Sequence, residues 1–251
     1  MIRNFRFTVL AVAALAAVSC ARENEDAVPG DACGTLDLAS VVVSTEESET
    51  PTRAVATGNF ILRVYDSGGT LVDEWDPYSS RPADYPLKVG MYTLEICSPT
   101  LPAADWETPW YVATEGFEIT KDAVTTIPPL VCKLGNIKVT VRYSDGMQEY
   151  LTDAEVTVTI GSGKLVFGRD EAQAGYFRTT GAESEMKVSL KATIDGYNDT
   201  YTGTVTGLRA GQWHMVRFTY AETAGQRTFY IHVGEFTIGQ ITPGGDWGVI
   251  N

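Results

Sequence analysis

Asn136-Ile137-Lys138-Val139-Thr140-Val141-Arg142-Tyr143 is the stretch that decides the fold. Ile137, Val139 and Val141 alternate with Lys138, Thr140 and Arg142. Successive side chains of a strand point to opposite faces, so this period of two describes a half-buried β-strand. The same habit recurs on both sides. Downstream, residues 154–160 and 164–167 flank Gly161-Ser162-Gly163, which reads as a hairpin connection. Residues 176–179, 186–194, 200–206, 213–219, 229–233 and 236–241 continue the series. Upstream, residues 60–65 and 70–75 flank the turn Asp66-Ser67-Gly68-Gly69, where glycine supplies the positive φ that a tight hairpin needs. Residues 36–43 form the first strand candidate, and 89–97, 110–118 and 123–133 follow. Two stretches rich in proline and aromatics, 76–86 and 98–109, read as loops. No window of twelve residues beyond the N-terminal leader has a helical period. Short strands separated by Gly and Pro predict an all-β chain of Ig-like sandwiches.

An internal echo divides the chain. Leu87-Lys88-Val89-Gly90-Met91-Tyr92 and Leu208-Arg209-Ala210-Gly211-Gln212-Trp213 are both Leu-x-x-Gly-x-aromatic. Each precedes a β-rich run, with the aromatic expected to plug a sandwich end like a tyrosine corner. The reading is two tandem β-sandwich domains, 34–133 and 134–251.

The N-terminus carries an address. Arg3 and Arg6 precede an apolar run over residues 7–18, followed by Ser19-Cys20. This is the pattern of a secretory signal peptide, 1–19, and the run is too short for a bilayer core of ~30 Å. A cysteine ending the small-residue zone resembles a bacterial lipobox, which makes Cys20 the expected lipidation site and the start of a flexible tether, 20–33. Ala17 stands where a lipobox usually has leucine. Glu23, Glu25 and Asp26 follow Cys20 closely. They look like the acidic export signals that send lipoproteins of Bacteroidetes-type bacteria to the outer face of the outer membrane. An ordinary solvated linker is the other reading.

Charge narrows the partners. The chain has 19 basic and 32 acidic residues, a net charge of −13. Removing the leader takes away two arginines and leaves −15. Such a surface repels phosphate backbones, which argues against nucleic acid. Membrane attachment is expected through acyl chains on Cys20 rather than a basic patch.

Reactive constellations are sparse. The two histidines, His214 and His232, sit in expected strands, and the cysteines lack metal-ligand spacing. Gly161-Ser162-Gly163 is not a nucleophile elbow. Asp195-Gly196-Tyr197-Asn198-Asp199 lacks the spacing of a calcium loop and reads as a turn. The chain is therefore read as a non-enzyme with no cofactor and no metal. Cys97 and Cys132 are open to a disulfide, which would leave Cys33 odd, or to burial as free thiols on neighbouring strands. Trp75, Tyr78, Tyr85, Trp106, Trp110 and Tyr111 fall in or beside the two loops. They either stack on sugar rings as a glycan platform or cap the end of a small core.

The Cys20 lipobox, residues 60–66 with the Ser-Gly-Gly turn, Leu87-x-Val89-Gly90-x-Tyr92, Pro109-Trp110-Tyr111 and the run from Val131 to Val141 resemble a set of uncharacterised two-domain Bacteroidales lipoproteins carried as a domain of unknown function. More distantly the chain is similar to the fimbrillins, transthyretin-like β-sandwich proteins that build pili or their tips. Trp247 in Ile241-Thr-Pro-Gly-Gly-Asp-Trp247 is similar to a tryptophan near the end of many such chains. The resemblance implies a surface lipoprotein acting in adhesion or as a pilus component, with pilin-like subunits or surface glycans as partners. It also implies proteolytic removal of the first strand, residues 36–43, by a cut at Arg53, and refilling of the groove by a strand of another subunit. The other reading is that Arg53 simply ends a solvated loop.

Overall fold

The alternation at 136–143 is borne out as a strand in which Ile137 and Val139 are fully buried and Arg142 is exposed. The computed structural model describes residues 32–46, 56–99, 102–179, 181–194, 196–234 and 236–241. The leader, Cys20, nearly all of the tether, Arg53, Asp195 and Trp247 lie outside these residues.

The first half contributes β1 (Cys33–Asp37), β2 (Val43–Thr45), β3 (Ile61–Asp66), β4 (Leu71–Trp75), β5 (Asp84–Lys88), β6 (Gly90–Cys97), β7 (Ala104–Trp106), β8 (Tyr111–Ile119), β9 (Val124–Thr126) and β10 (Leu130–Leu134). The second contributes β11 (Asn136–Tyr143), a single helical turn α1 (Met147–Tyr150), β12 (Leu151–Ile160), β13 (Gly163–Gly168), β14 (Gly175–Arg178), β15 (Ser184–Ile194), β16 (Tyr197–Leu208), β17 (Trp213–Thr223), β18 (Gln226–Val233) and β19 (Phe236–Ile241). The chain is all-β. Sheets ordered β5-β1-β9 and β2-β10-β8-β6-β3-β4 enclose one core, centred on Leu36, Leu62, Leu94 and Ile96. Sheets ordered β19-β18-β17-β11-β14-β7 and β13-β12-β15-β16 enclose a second, centred on Ile137, Phe167, Phe177, Phe218 and Phe229.

The expected turns form. Ile160 pairs with Gly163 across Gly161-Ser162, with Gly161 at φ 58°. Asp66 Oδ1 accepts from the Gly68 and Thr70 amides at 2.9 Å, and Gly69 has φ 78°. Four expectations need correction. Residues 36–43 are two strands, because the chain turns after Asp37, whose Oδ1 accepts from the Ser40 amide at 3.1 Å. Residues 123–133 are also two, divided at Pro128-Pro129, since proline has no amide to give a ladder. The loop at 76–86 ends in β5, where Pro86 is tolerated because β5 is an edge strand paired with β1 alone. The loop at 98–109 holds β7, which pairs antiparallel with β14 and so completes a sheet otherwise built from residues 136–241. The two aromatics of the echo also part company. The Tyr92 hydroxyl donates to the Lys88 carbonyl at 3.0 Å, as a tyrosine corner does, whereas Trp213 is 51% exposed.

Glycine permits the β7 docking. A Cβ on Gly163 would stand 2.5 Å from the Ala103 carbonyl oxygen, the atom that accepts from the Arg178 amide at 3.0 Å. Gly163→Ala should therefore cost about 1–3 kcal/mol by urea unfolding. Hydrogen exchange should quicken at the Glu107 and Arg178 amides and stay unchanged in β3; uniform quickening, or none, would refute this docking.

Candidate functional site

Residues 33–45 divide themselves between the two sheets of the first sandwich. β1 lies between β5, antiparallel, and β9, parallel. β2 runs parallel to β10 in the other sheet, with Val43 opposite Leu130. Between them Leu38 and Val41 enter the core at 0% and 3% exposure, beside Leu36 at 0%. Burying each such side chain stabilises by roughly 1.5–3 kcal/mol. Together the three are comparable to the ~5–15 kcal/mol by which a whole domain is stable.

A crossing between sheets leaves backbone groups without ladder partners, and the loop after β4 supplies them. The Leu38 and Ala39 amides donate to the Ala83 carbonyl at 2.8 and 2.9 Å. Arg81 Nε donates to the Leu38 carbonyl at 2.9 Å, and its guanidinium lies 3.7 Å from the Tyr78 ring centroid. The Tyr78 hydroxyl donates to the Val41 carbonyl. Tyr78 is buried, and burial pushes its phenol up, against the opposing charge of Arg81. Sequence reading placed Tyr78 among the loop aromatics but missed Arg81. A lone arginine in a proline-rich loop was the available signal.

The aromatic platform does not assemble. Trp75 and Tyr85 meet edge to face, centroids 4.9 Å apart, against the first core. Burial and a hydrogen bond to Asp73 push the Tyr85 phenol up to about 12. Trp106 is carried by β7 to the second core, 4.7 Å from Phe167. Trp110 packs on Gly135, where a Cβ would lie 2.4 Å from the indole, and its Nε1 donates to the Ser98 carbonyl at 3.0 Å. Tyr111 is a core residue at 7% exposure. Strand pairing thus distributes Trp75, Tyr85, Trp106, Trp110 and Tyr111 over two cores and their junction, and they share no open face.

Cys97 and Cys132 are buried and free, so no disulfide joins them. β8 lies between their strands, a separation of roughly 9–10 Å at the usual strand spacing. They also face opposite ways. Cys132 belongs to the core, while Cys97 accepts from Arg63 Nη1 at 3.5 Å on the outer face. Burial pushes Cys132 up to about 11 and raises Cys97, so both stay protonated thiols. Arg63 also donates to Glu74 at 2.6 Å and Glu95 at 3.1 Å. His214 and His232 are both lowered by burial, and His232 shares a 2.7 Å hydrogen bond with the Thr219 hydroxyl.

The crossing clamp can be tested directly. Tyr78→Phe leaves the Val41 carbonyl unpaired and should cost about 1–3 kcal/mol, whereas Arg81→Ala leaves the Leu38 carbonyl with the Val41 amide alone, at 3.3 Å, and should cost less, about 0.5–1.5 kcal/mol. Urea unfolding gives the cost, and hydrogen exchange over residues 38–45 should quicken in both variants. Unchanged exchange there would mean the loop does not hold the segment.

Comparison with known proteins finds similar chains. A candidate cell adhesion protein from Bacteroides eggerthii is similar over 81% of this chain and 94% of its own, at 9% identity and a TM-score of 0.44. A fimbrial assembly protein from Parabacteroides distasonis is similar over 80% and 97%, at 9% identity and a TM-score of 0.40. A fimbrilin from Porphyromonas gingivalis is similar over 74% and 89%, at 10% identity and a TM-score of 0.36. No curated protein matches the chain. Residues 32–243 match the family described as a domain of unknown function, DUF4493, and the chain belongs to that family.

Proposed function

We propose that this chain is a surface lipoprotein of the fimbrillin-like type, acting in adhesion or as a pilus component. In this reading Cys20 carries the acyl anchor in the outer membrane, and Glu23, Glu25 and Asp26 direct the chain outward. Its partners are other pilin-like subunits. One observation carries the proposal: residues 33–45 pair in both sheets of the first sandwich and bury Leu36, Leu38 and Val41. Losing that segment would open an apolar slot between β5 and β9 and bare the outer edge of β10. A strand from another subunit would restore both the ladder bonds and the burial, which is β-strand addition. We place the releasing cut at Arg53, the sole basic residue between Arg22 and Arg63. The first-sandwich aromatics lend no support to glycan capture, because they do not converge.

The test is incubation of the purified secreted chain with an Arg-specific protease. A cut at Arg53 followed by oligomers is expected, with Arg53→Ala remaining intact and monomeric. A chain that resists cutting there, or is cut without assembling, would overturn the assembly mechanism. Protease shaving of intact cells should release the protein, and failure to do so would count against surface display.

A further inference from the structure

The sheet β19-β18-β17-β11-β14-β7 turns one face to the second core and the other outward. Register fixes what the outer face carries. Tyr176, Lys138 and Trp213 stand side by side on β14, β11 and β17. Further along, Arg142, Arg217 and His232 stand side by side on β11, β17 and β18. Arg178 sits beside Asn136 at the near end. Arg142, Arg178 and Arg217 are exposed and Lys138 is half-buried. Among the described residues no ion pair involves any of these four cations. Register places Asp105 on this face, at the β7 margin opposite Tyr176, and Glu107 acts on Tyr176 from the same margin.

This arrangement runs against composition. The chain has 32 acidic and 19 basic residues, yet among the described residues these cations gather without ion-pair partners, Arg142 donating only to the Val141 carbonyl at 2.8 Å. Arg142 and Arg217 are direct neighbours across two strands, and like charges so placed repel. The effect reaches His232, which burial and then Arg217 hold below its usual value. Trp213 adds an apolar surface to the same face. It is 51% exposed but not loose: Nε1 donates to the Thr140 hydroxyl at 3.0 Å, and Lys138 Nζ lies 4.8 Å from the ring centroid. The indole reaches from β17 onto β11 and covers Thr140, which is 4% exposed.

The spacing selects for length. Strand residues rise ~3.3 Å each, so the Lys138–Trp213 row and the Arg142–Arg217 row are roughly 13 Å apart. Thr140 and Met215, both uncharged, lie between them. A small anion meets one row, whereas an extended polymer meets both. Guanidinium forks donate to carboxylate and sulfate oxygens in the same bidentate geometry. A fixed indole offers what cations cannot, a flat surface for the apolar face of a sugar ring.

We propose that this face binds an extended anionic polysaccharide bearing carboxylates or sulfates. A sugar ring stacks on Trp213, Lys138 takes an acid group in the same row and Arg178 one beyond it at the near end, and Arg142 and Arg217 take them in the far row. An acidic polypeptide would use the cations but has no need of the exposed indole. The inference stands apart from subunit exchange: a chain that binds polyanions but fails to assemble after cleavage keeps this proposal and loses the other.

The experiment passes the full chain, at physiological ionic strength, over immobilised heparin, polygalacturonate, neutral dextran and poly-glutamate. Retention is expected on heparin or polygalacturonate and not on dextran, and the polymer that retains it separates sulfate from carboxylate recognition. The double variant Arg142→Ser/Arg217→Ser should weaken binding by about tenfold or more. Trp213→Ala should weaken it roughly fivefold or more, with Trp213→Phe restoring most of the loss. Arg209→Ser, which removes a cation already paired with Glu183, should leave binding unchanged. No retention on either polyanion, or retention indifferent to the arginine variant, overturns the proposal. Poly-glutamate binding as tight as polysaccharide binding and untouched by Trp213→Ala overturns it in favour of an acidic polypeptide.

Discussion

Residues 33–45 must satisfy the hydrogen bonds of two sheets within thirteen positions, and the first sandwich depends on that demand. A segment that stays in one sheet can leave its neighbour sheet intact. A segment that crosses cannot, because its removal strips partners from β5, β9 and β10 together. The crossing also explains the loop that follows β4. Backbone carbonyls at Leu38 and Val41 leave one ladder before the next begins, and buried carbonyls without donors are costly. Tyr78 supplies the donor for Val41 from outside both sheets, and Arg81 adds a second donor to the Leu38 carbonyl beside the Val41 amide. A side-chain clamp is more easily undone than a ladder, which suits a segment proposed to be exchanged.

Where local chemistry alone specifies an element, the sequence was legible. The strand at 136–143, the hairpin at Gly161-Ser162 and the Asp66 turn follow from alternation and from glycine placement, and they form as expected. Where a tertiary partner decides, legibility failed. Residues 36–43 alternate and end in a β-branched run, and the short Asp37–Ser40 turn that breaks them is a faint local mark beside that pattern. Ala104–Trp106 is too short and too irregular to announce itself as a strand, and only the open edge of β14 makes it one. The cysteines stood open between a bridge and burial as free thiols, and the structure has them buried and free. Proximity of strands in a sandwich was foreseeable, but strand order was not, and β8 between β6 and β10 settles the matter. The aromatic platform failed because sequence adjacency of Trp106 and Trp110 says nothing about which core each enters.

The junction between the halves shows how short a connection can be when side chains carry it. β10 ends at Leu134 and β11 begins at Asn136, leaving Gly135 alone between them. Trp110 fills the space a side chain on Gly135 would need. Asn136, 2% exposed, accepts from the Trp110 amide and donates to the Thr108 carbonyl, both at 3.3 Å. The segment that sends β7 to the second core is thus pinned at its other end by the first residue of β11. Trp106 and Asn136 act on the same dozen residues from two directions, so the polar contact at Asn136 and the apolar one at Phe167 share one role.

A basic face on an acidic chain raises the question of range. The net charge of −13 repels a polyanion at a distance, and the outer face of the second sheet attracts it only in contact. At physiological ionic strength charges farther apart than ~8 Å are largely screened. Screening therefore removes most of the long-range repulsion while leaving charge-assisted hydrogen bonds at the surface. Affinity in that regime belongs to groups that touch the ligand, and those are four cations spread along one sheet face with an indole fixed between strands. The acidic remainder sets the opposite condition, discouraging adsorption of the same polymer elsewhere on the chain. Composition and site then answer to different lengths: net charge governs what stays away, and register within one sheet governs what is held.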